Sequence, residues 1–103
     1  MFPDWLAGTP TAEALRATLG GPVRQGTLRR EIVLPERTVL RFPAFLSAAE
    51  AATLPCAALT AWSAIVTYES LGPGSRVLVQ GTGGVALFAI QIAKLLGAHV
   101  TVI

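Results

Sequence analysis

The stretch VLVQGTGGVALFAIQIAKLLGAHVTVI constrains the fold of this chain more than any other feature. A continuous apolar run at 77–80 predicts a buried strand, the glycines at 81–84 predict a tight turn, and the apolar residues 85–96 predict a helix. Gly97 ends that helix, and residues 99–103 predict a second strand. This order of strand, helix and strand is typical of a parallel α/β fold.

The glycine turn fits the pattern G-x-G-x-x-A, which opens dinucleotide-binding units. The pattern comprises Gly81, Thr82, Gly83, Gly84, Val85 and Ala86. The first glycine allows the sharp turn, the second lets the backbone approach a pyrophosphate, and the small Ala86 permits close packing of helix on strand. The backbone N–H groups at the helix start would then face the phosphates. A glycine turn with a purely structural role is the alternative interpretation.

The residues around this turn narrow the class of ligand. No Gly-Lys-Ser or Gly-Lys-Thr follows it, so the lysine of a P-loop is missing and ATP or GTP chemistry is disfavoured. The residue that meets the ribose usually lies roughly 20 positions beyond the glycines, which is at or just past Ile103 here. The sequence therefore leaves NAD and NADP both open. A flavin or a methyl donor is a less favoured ligand, because such families usually begin with the glycine strand near the N-terminus.

Composition bounds the partners of the chain. Of its 103 residues 52% are hydrophobic and only 14% are charged, which is apolar for a chain with so much surface relative to its volume. We therefore expect part of this apolar surface to be buried against a surface outside these residues. The net charge of +2 is small, and Arg29-Arg30 lies beside Glu31 with no interleaved aromatic residue. We predict no nucleic-acid partner.

Cysteine content and the absence of targeting signals favour a cytoplasmic location. Cys56 is the single cysteine, which excludes an internal disulfide. The N-terminus carries an acid in place of a basic n-region, and no apolar run of signal type follows it. Residues 51–68 carry no acidic or basic side chain and have about the length of a membrane span. Because Pro55 and several hydroxyl residues interrupt them, we predict a buried core helix, with Trp62 in the core, and no membrane partner.

The remaining elements are predicted from local signals. Residues 11–19 predict a short helix, and the alternating segment TLRREIVLPE at 27–36 predicts a short strand that Pro35 ends. Ser47 followed three residues later by Glu50 has the spacing of a capping box, so a helix should begin near Ala48, directly after Ser47. Pro55 marks a break or the first turn of a second, mostly buried helix, which the segment CAALTAWSAIVTYESL forms.

Residues 45–103 resemble the medium-chain dehydrogenase/reductase superfamily, most closely its zinc-type alcohol dehydrogenase-like and quinone oxidoreductase branches. The segments EAATLPCAALTAW and LGPGSRVLVQGTGGV carry the resemblance, and GTL and VLPE earlier in the chain match the end of that family's GroES-like domain. The resemblance implies an α/β fragment. Residues 1–46 would be the C-terminal part of a GroES-like β-barrel domain, and 47–103 would be linking helices and the first β-α-β unit of a truncated Rossmann domain.

The resemblance also implies NADP or NAD as cofactor. The implied cofactor-binding residues are Thr60, Gly81, Thr82, Gly83, Gly84, Val85 and Ala86. The glycines would cradle the pyrophosphate, Val85 would lie against the nicotinamide ring, and Thr60 would stand near the nicotinamide and its carboxamide. The implied reaction is hydride transfer to or from an alcohol, carbonyl, quinone or enone substrate, in a parent protein that is a homodimer or homotetramer. No catalytic residue can be assigned within these residues.

Cys56 falls where zinc-dependent members of that family place the last ligand of their catalytic metal. Zinc needs about three protein ligands in a catalytic site, and His99 lies on the wrong strand to serve as one. Many apparently zinc-free members resemble the same LPC motif, and a lone buried cysteine is usually a small hydrophobe. We therefore predict no metal site in this chain and a surface position for His99.

Two classes of function remain open. The favoured hypothesis is that the chain belongs to an oxidoreductase family but is inactive by itself, because parallel strands need neighbours on both edges and helices on both faces. The competing hypothesis is a non-catalytic truncated remnant or interaction module whose exposed sheet edge recruits partners by strand addition.

Overall fold

The computed structural model describes residues 8–103, which divide into a unit ending at Arg41 and a unit beginning at Phe42. The first contains the helix α1 (Ala12–Arg16) and a 3₁₀ turn (Glu36–Thr38). The second contains α2 (Ala48–Ala51), a π-helical segment (Leu54–Ala58), α3 (Leu59–Trp62), a second π-helical segment (Ser63–Tyr68), the strand β1 (Arg76–Val79), α4 (Gly84–Leu95) and β2 (His99–Val102). The second unit is therefore α/β, as the sequence predicts.

The first unit has little regular structure. Thr11 begins α1 by accepting a hydrogen bond on its side chain from the N–H of Ala14 at 3.2 Å, and the helix ends at Arg16, earlier than predicted. The strand predicted within 27–36 does not form, and Leu28, Ile32 and Val33 are exposed. Alternation alone cannot make a strand, because a ladder needs a neighbour, and the described part of the chain offers none here.

A capping box begins the second unit's helical region, as predicted. The N–H of Ser47 donates to Oε2 of Glu50 at 2.8 Å, and the N–H of Glu50 donates to Oγ of Ser47 at 3.3 Å. The first of these bonds, together with that from the Ser47 hydroxyl, holds the pKa of Glu50 below its ordinary value. The two side chains therefore satisfy backbone donors that would otherwise lack a partner at the helix start.

The linking helix, Ala48–Tyr68, is a continuous helical stretch that contains both π-helical segments. Pro55 lies at the start of the first π-helical segment, after the α-helix Ala48–Ala51 has ended, and this position tolerates its missing N–H. The prediction of a mostly buried helix is wrong: only Ala61 and Ile65 of this stretch are buried, and Trp62 is 47% exposed. The reason is that α4 packs along one side of the stretch, while the described residues leave the other side open.

Length and composition would allow the linking helix to cross a membrane, and among residues 8–103 it is the one helix of that kind. The core helix of a soluble protein has the same length and composition, so this property by itself assigns no location.

The strands β1 and β2 are adjacent and parallel, with Val77 opposite Val100 and Val79 opposite Val102. Side chains alternate between the two faces of a sheet, so these valines share one face. Val79 of β1 is buried, and so is Ala93 of α4, which packs against both strands; α4 therefore lies on that face. Leu78, on the opposite face, is 64% exposed. The predicted strand is therefore present, but it is buried on one face only.

The end of α4 is fixed by a glycine in the left-handed region. Gly97 has φ +79, its N–H donates to the carbonyl of Lys94 at 3.0 Å, and the N–H of Ala98 donates to that of Ala93 at 3.0 Å. These two bonds form a Schellman motif. A Cβ on Gly97 would lie 3.5 Å from Pro73. The motif therefore ends the helix and turns the chain into β2.

Replacing Gly97 by alanine should lower the free energy of unfolding by about 1–2 kcal/mol, because alanine resists the positive φ at this position, while its methyl would make only ordinary contact with Pro73. Urea denaturation followed by circular dichroism measures the loss. Gly72→Ala is the matched control, since Gly72 lacks positive φ and a Cβ there would meet nothing within 4 Å. Equal losses in the two variants would contradict this account of the turn.

The capping box should make helix content depend on pH. The pKa of Glu50 is lowered in the folded chain. The stabilisation that the ionised carboxylate gives to the helix is therefore present above the unfolded pKa of Glu50, and it is lost as pH falls through the folded pKa. Circular dichroism at acid pH should show this loss in the unaltered chain, whereas Ser47→Ala and Glu50→Gln should flatten the dependence. A dependence unchanged in both variants would show that another group causes it.

Candidate functional site

The glycine turn lies between the carboxyl end of β1 and the first residue of α4. Gly81 has φ +84, a conformation that glycine adopts without the steric cost of a Cβ. Its N–H donates to the carbonyl of Ile103 at 2.7 Å, and the N–H of Ile103 donates to the carbonyl of Val79 at 3.1 Å. These bonds fix the turn to the end of both strands.

The turn leaves open space where side chains would otherwise stand. A Cβ on Gly81 or Gly83 would meet no atom of the chain within 4 Å, and residues 81–84 are all exposed. Gly83 has φ −73 and ψ 173, which any residue can adopt. Neither the backbone nor packing within the described residues therefore requires glycine at position 83, and the space beside it is available to a ligand.

The N-terminus of α4 presents backbone donors to this space. The carbonyl of Gly83 accepts the N–H of Leu87 at 2.9 Å, and no side chain caps the helix. The N–H groups of Gly84, Val85 and Ala86, which come before Leu87, therefore have no partner within the helix. A helix of 12 residues also carries a partial positive charge at this end. Donors and charge together suit an anion such as a pyrophosphate.

The linking helix contacts α4 beside the turn. A Cβ on Gly84 would lie 3.4 Å from the Cβ of Ala57, which belongs to the first π-helical segment. Four residues later Ala61 is buried, with an exposed fraction of 1%. Sequence reasoning missed Ala57, and the only signal for it is the run of small residues in CAALTA.

The predicted cofactor residues occupy two places in the second unit. Gly81, Thr82 and Gly83 form the turn, and Gly84, Val85 and Ala86 form the first turn of α4. Thr60 lies apart from them in sequence, on α3, which packs against α4. Thr60 follows Ala57 by three residues, and the side chain of Thr60 is exposed. The fold thus brings the helix of Thr60 to the helix that begins at the glycine turn.

The residues considered as metal ligands do not form a cluster. Within residues 8–103 no group of three His, Cys, Asp or Glu side chains could hold a metal ion. His99 is exposed, as predicted, at the start of β2. Cys56 is a free, exposed thiol, so the interpretation of this residue as a buried hydrophobe is wrong. The reason is that its neighbour Ala57, and not Cys56, lies on the side of the helix that α4 covers.

Several proteins with similar sequences are dehydrogenases or oxidoreductases. The chain is 47% identical over 103 residues to a zinc-type alcohol dehydrogenase-like protein of Schizosaccharomyces pombe, covering 98% of the chain and 30% of that protein. It is 45% identical over 87 residues to a mitochondrial NAD(P)H oxidoreductase of Homo sapiens, covering 80% and 22%. It is 39% identical over 83 residues to a cinnamyl alcohol dehydrogenase of Oryza sativa, covering 81% and 23%. No protein-family model matches.

Solved structures support the same relationship. A chain from Sinorhizobium meliloti assigned as an alcohol dehydrogenase matches 98% of this chain with a TM-score of 0.84 and 52% identity, over 30% of its own length. The cyclopropanase CurF ER of curacin A biosynthesis matches 61% with a TM-score of 0.59 and 34% identity, over 19% of its length. The chain thus has an alcohol dehydrogenase-type α/β fold. It belongs to the medium-chain dehydrogenase/reductase superfamily and spans less than a third of the length of these relatives.

Because Cys56 is exposed, the rate at which its thiol reacts tests the packing of the linking helix. A thiol reagent such as dithionitrobenzoate should label Cys56 in the native chain at nearly the rate seen in urea, because the thiol is exposed. Absorbance of the released thiolate measures both rates. Labelling that waits for unfolding would contradict the packing of the linking helix described above.

Proposed function

We propose that β1, the glycine turn, α4 and β2 are the first unit of a Rossmann dinucleotide-binding domain, and that the protein takes part in NAD(P)-dependent oxidoreduction. One observation carries this proposal: the uncapped N-terminus of α4 faces space that a Cβ on Gly83 would fill without touching the chain. Such a cradle allows a pyrophosphate to approach the backbone. The relatives' names, alcohol dehydrogenase and NAD(P)H oxidoreductase, support the same cofactor class.

The residues of the turn would divide the work of holding the cofactor. Backbone N–H groups at Gly84, Val85 and Ala86 would donate to phosphate oxygens, and the missing side chains at Gly83 and Gly84 would allow that approach. The side chain of Val85, 43% exposed, would offer an apolar contact to the nicotinamide ring. The hydroxyl of Thr60 would hydrogen-bond near the carboxamide. The bound nicotinamide would donate or accept a hydride.

The substrate class and the catalytic machinery are part of the same proposal. We propose an alcohol and carbonyl pair, or a quinone or enone, as substrate, because relatives are named for alcohol dehydrogenation and NAD(P)H oxidoreduction. The matched segment spans 22% to 30% of these relatives. We therefore propose that the 103-residue chain is inactive alone and that catalysis needs parts of a longer protein.

Domain origin, assembly and location complete the proposal. We assign residues 1–46 to the end of a GroES-like domain and 47–103 to linking helices and the start of the Rossmann domain; residues 1–7 lie outside the described part. The resemblance of the sequence to the medium-chain dehydrogenase/reductase superfamily motivates this division. A cytoplasmic homodimer or homotetramer is proposed for the parent protein, and cell fractionation with size-exclusion chromatography would test both properties.

A second candidate function is recruitment of a partner strand. Within residues 8–103, β1 and β2 pair only with each other, so each has an open edge. Open edges accept added strands from other chains. Concentration-dependent association together with absent nucleotide binding would favour this function over the first.

The variant Gly83→Val tests the cradle directly. Valine can adopt the backbone angles of Gly83, and its Cβ would meet no atom of the chain within 4 Å, so the variant should fold, while its side chain blocks the pyrophosphate. Losing one charge-assisted phosphate bond, worth about 1.5–3 kcal/mol, should weaken NADPH and NADH binding at least about tenfold. Nucleotide fluorescence measures binding, and circular dichroism checks the fold.

Gly72→Val is the matched control, because Gly72 also has open space around it but lies before β1, at the other end of the sheet. It should bind as the unaltered chain does. The proposal would be wrong if the unaltered chain showed no saturable binding, or if Gly83→Val bound as tightly as the control.

A further inference from the structure

We infer that Ala57 is a positioning residue for the glycine turn. The small size of its side chain allows the linking helix to lie close to the N-terminus of α4, and thereby keeps the backbone donors of α4 in place. The inference rests on the proposed function, since it concerns the same site, but it assigns a role to a residue on another helix.

The contact around Gly84 is the first observation. Of the turn's three glycines, Gly81 and Gly83 face open space, whereas a Cβ on Gly84 would lie 3.4 Å from the Cβ of Ala57. The turn is therefore open on the side available to a ligand and is supported by Ala57 on another side. Because Gly84 has no side chain, a group added to Ala57 would enter the space that a Cβ on Gly84 would occupy, and a branched side chain larger than that space would press on the backbone of α4.

The packing below this contact is the second observation. Ala61, four residues after Ala57 on the linking helix, is buried with an exposed fraction of 1%, and its helix packs against α4. Its small side chain lets the two helices approach closely. Neighbours of Ala57 that lie off this line, Cys56 and Thr60, are exposed. Ala57 thus extends the helix–helix contact up to the first residue of α4.

The role follows from the geometry that hydrogen bonds require. The N–H groups of Gly84, Val85 and Ala86 have no partner within α4 and share one helical turn. Donor–acceptor distances of 2.7–3.2 Å are needed, and the bonds weaken steeply as angles close. A displacement of α4 by about 1 Å would spoil several donors at once. A larger side chain at Ala57 should therefore weaken binding of pyrophosphate groups in particular.

The experiment uses the full 103-residue chain and three variants. Ala57→Ile adds a β-branched side chain that is stiff at χ1 and cannot turn away easily. Ala57→Gly is the conservative variant that keeps the space. Ala64→Ile makes the same change at an exposed alanine of the linking helix and is the matched control. Affinities are measured for NADPH, by fluorescence, and for inorganic pyrophosphate, by displacement of NADPH.

We expect Ala57→Ile to weaken both ligands about tenfold, the effect of losing roughly one charge-assisted hydrogen bond. Ala57→Gly and Ala64→Ile should stay within about twofold of the unaltered chain. Ala57→Val, which adds fewer atoms, replaces the isoleucine variant if that one does not fold. Affinities of the isoleucine or valine variant equal to those of Ala64→Ile would overturn the inference.

A measurement without ligand separates this inference from the proposed function. Backbone amide resonances of Gly84 and Val85 in the free chain should shift in Ala57→Ile and stay unmoved in Ala64→Ile. If they shift while the unaltered chain binds no NADPH, Ala57 positions α4 but the proposed function is wrong. If they do not shift, the positioning role is wrong whatever the nucleotide affinity.

Discussion

The packing of α4 on the parallel pair of β1 and β2 is the constraint on which the second unit depends. Val79 and Ala93 are buried in this contact, and hydrogen bonds close the unit at both ends of the helix. At one end Gly81 donates to Ile103, and at the other the Schellman motif at Gly97 turns the chain into β2. Because both ends are fixed, the first turn of α4 is held at the carboxyl edge of the strands, where ligands of α/β folds bind.

The buried core of the described residues is small. Its members are Ala61, Ile65, Val79 and Ala93. Large apolar side chains such as Leu78, Leu95 and Tyr68 remain 64%, 82% and 80% exposed. Burial of apolar surface is the main favourable term in folding, so this composition gives the chain more apolar surface than its own contacts cover. The longer relatives, of which the chain spans less than a third, give a physical context for that surface.

Local signals in the sequence predicted the second unit well. The strands, α4 and the capping box at Ser47 lie within one or two residues of their predicted places, because glycines and caps act on their immediate neighbours. Burial was predicted poorly, since it depends on distant contacts: the strand within 27–36 is absent and Trp62 is exposed. The glycine turn could be located from its pattern, whereas Ala57 could not, because an alanine carries no sign of what it contacts.

The central claim is that the glycine turn holds the pyrophosphate of a nicotinamide dinucleotide. Mapping backbone amide resonances of the labelled chain during an NADPH titration tests it most directly. The account predicts saturable shifts that are largest at residues 81–86, with little change at the opposite end of the sheet, near Arg76 and His99. Shifts that centre on that opposite end, or the absence of saturable shifts, would contradict it.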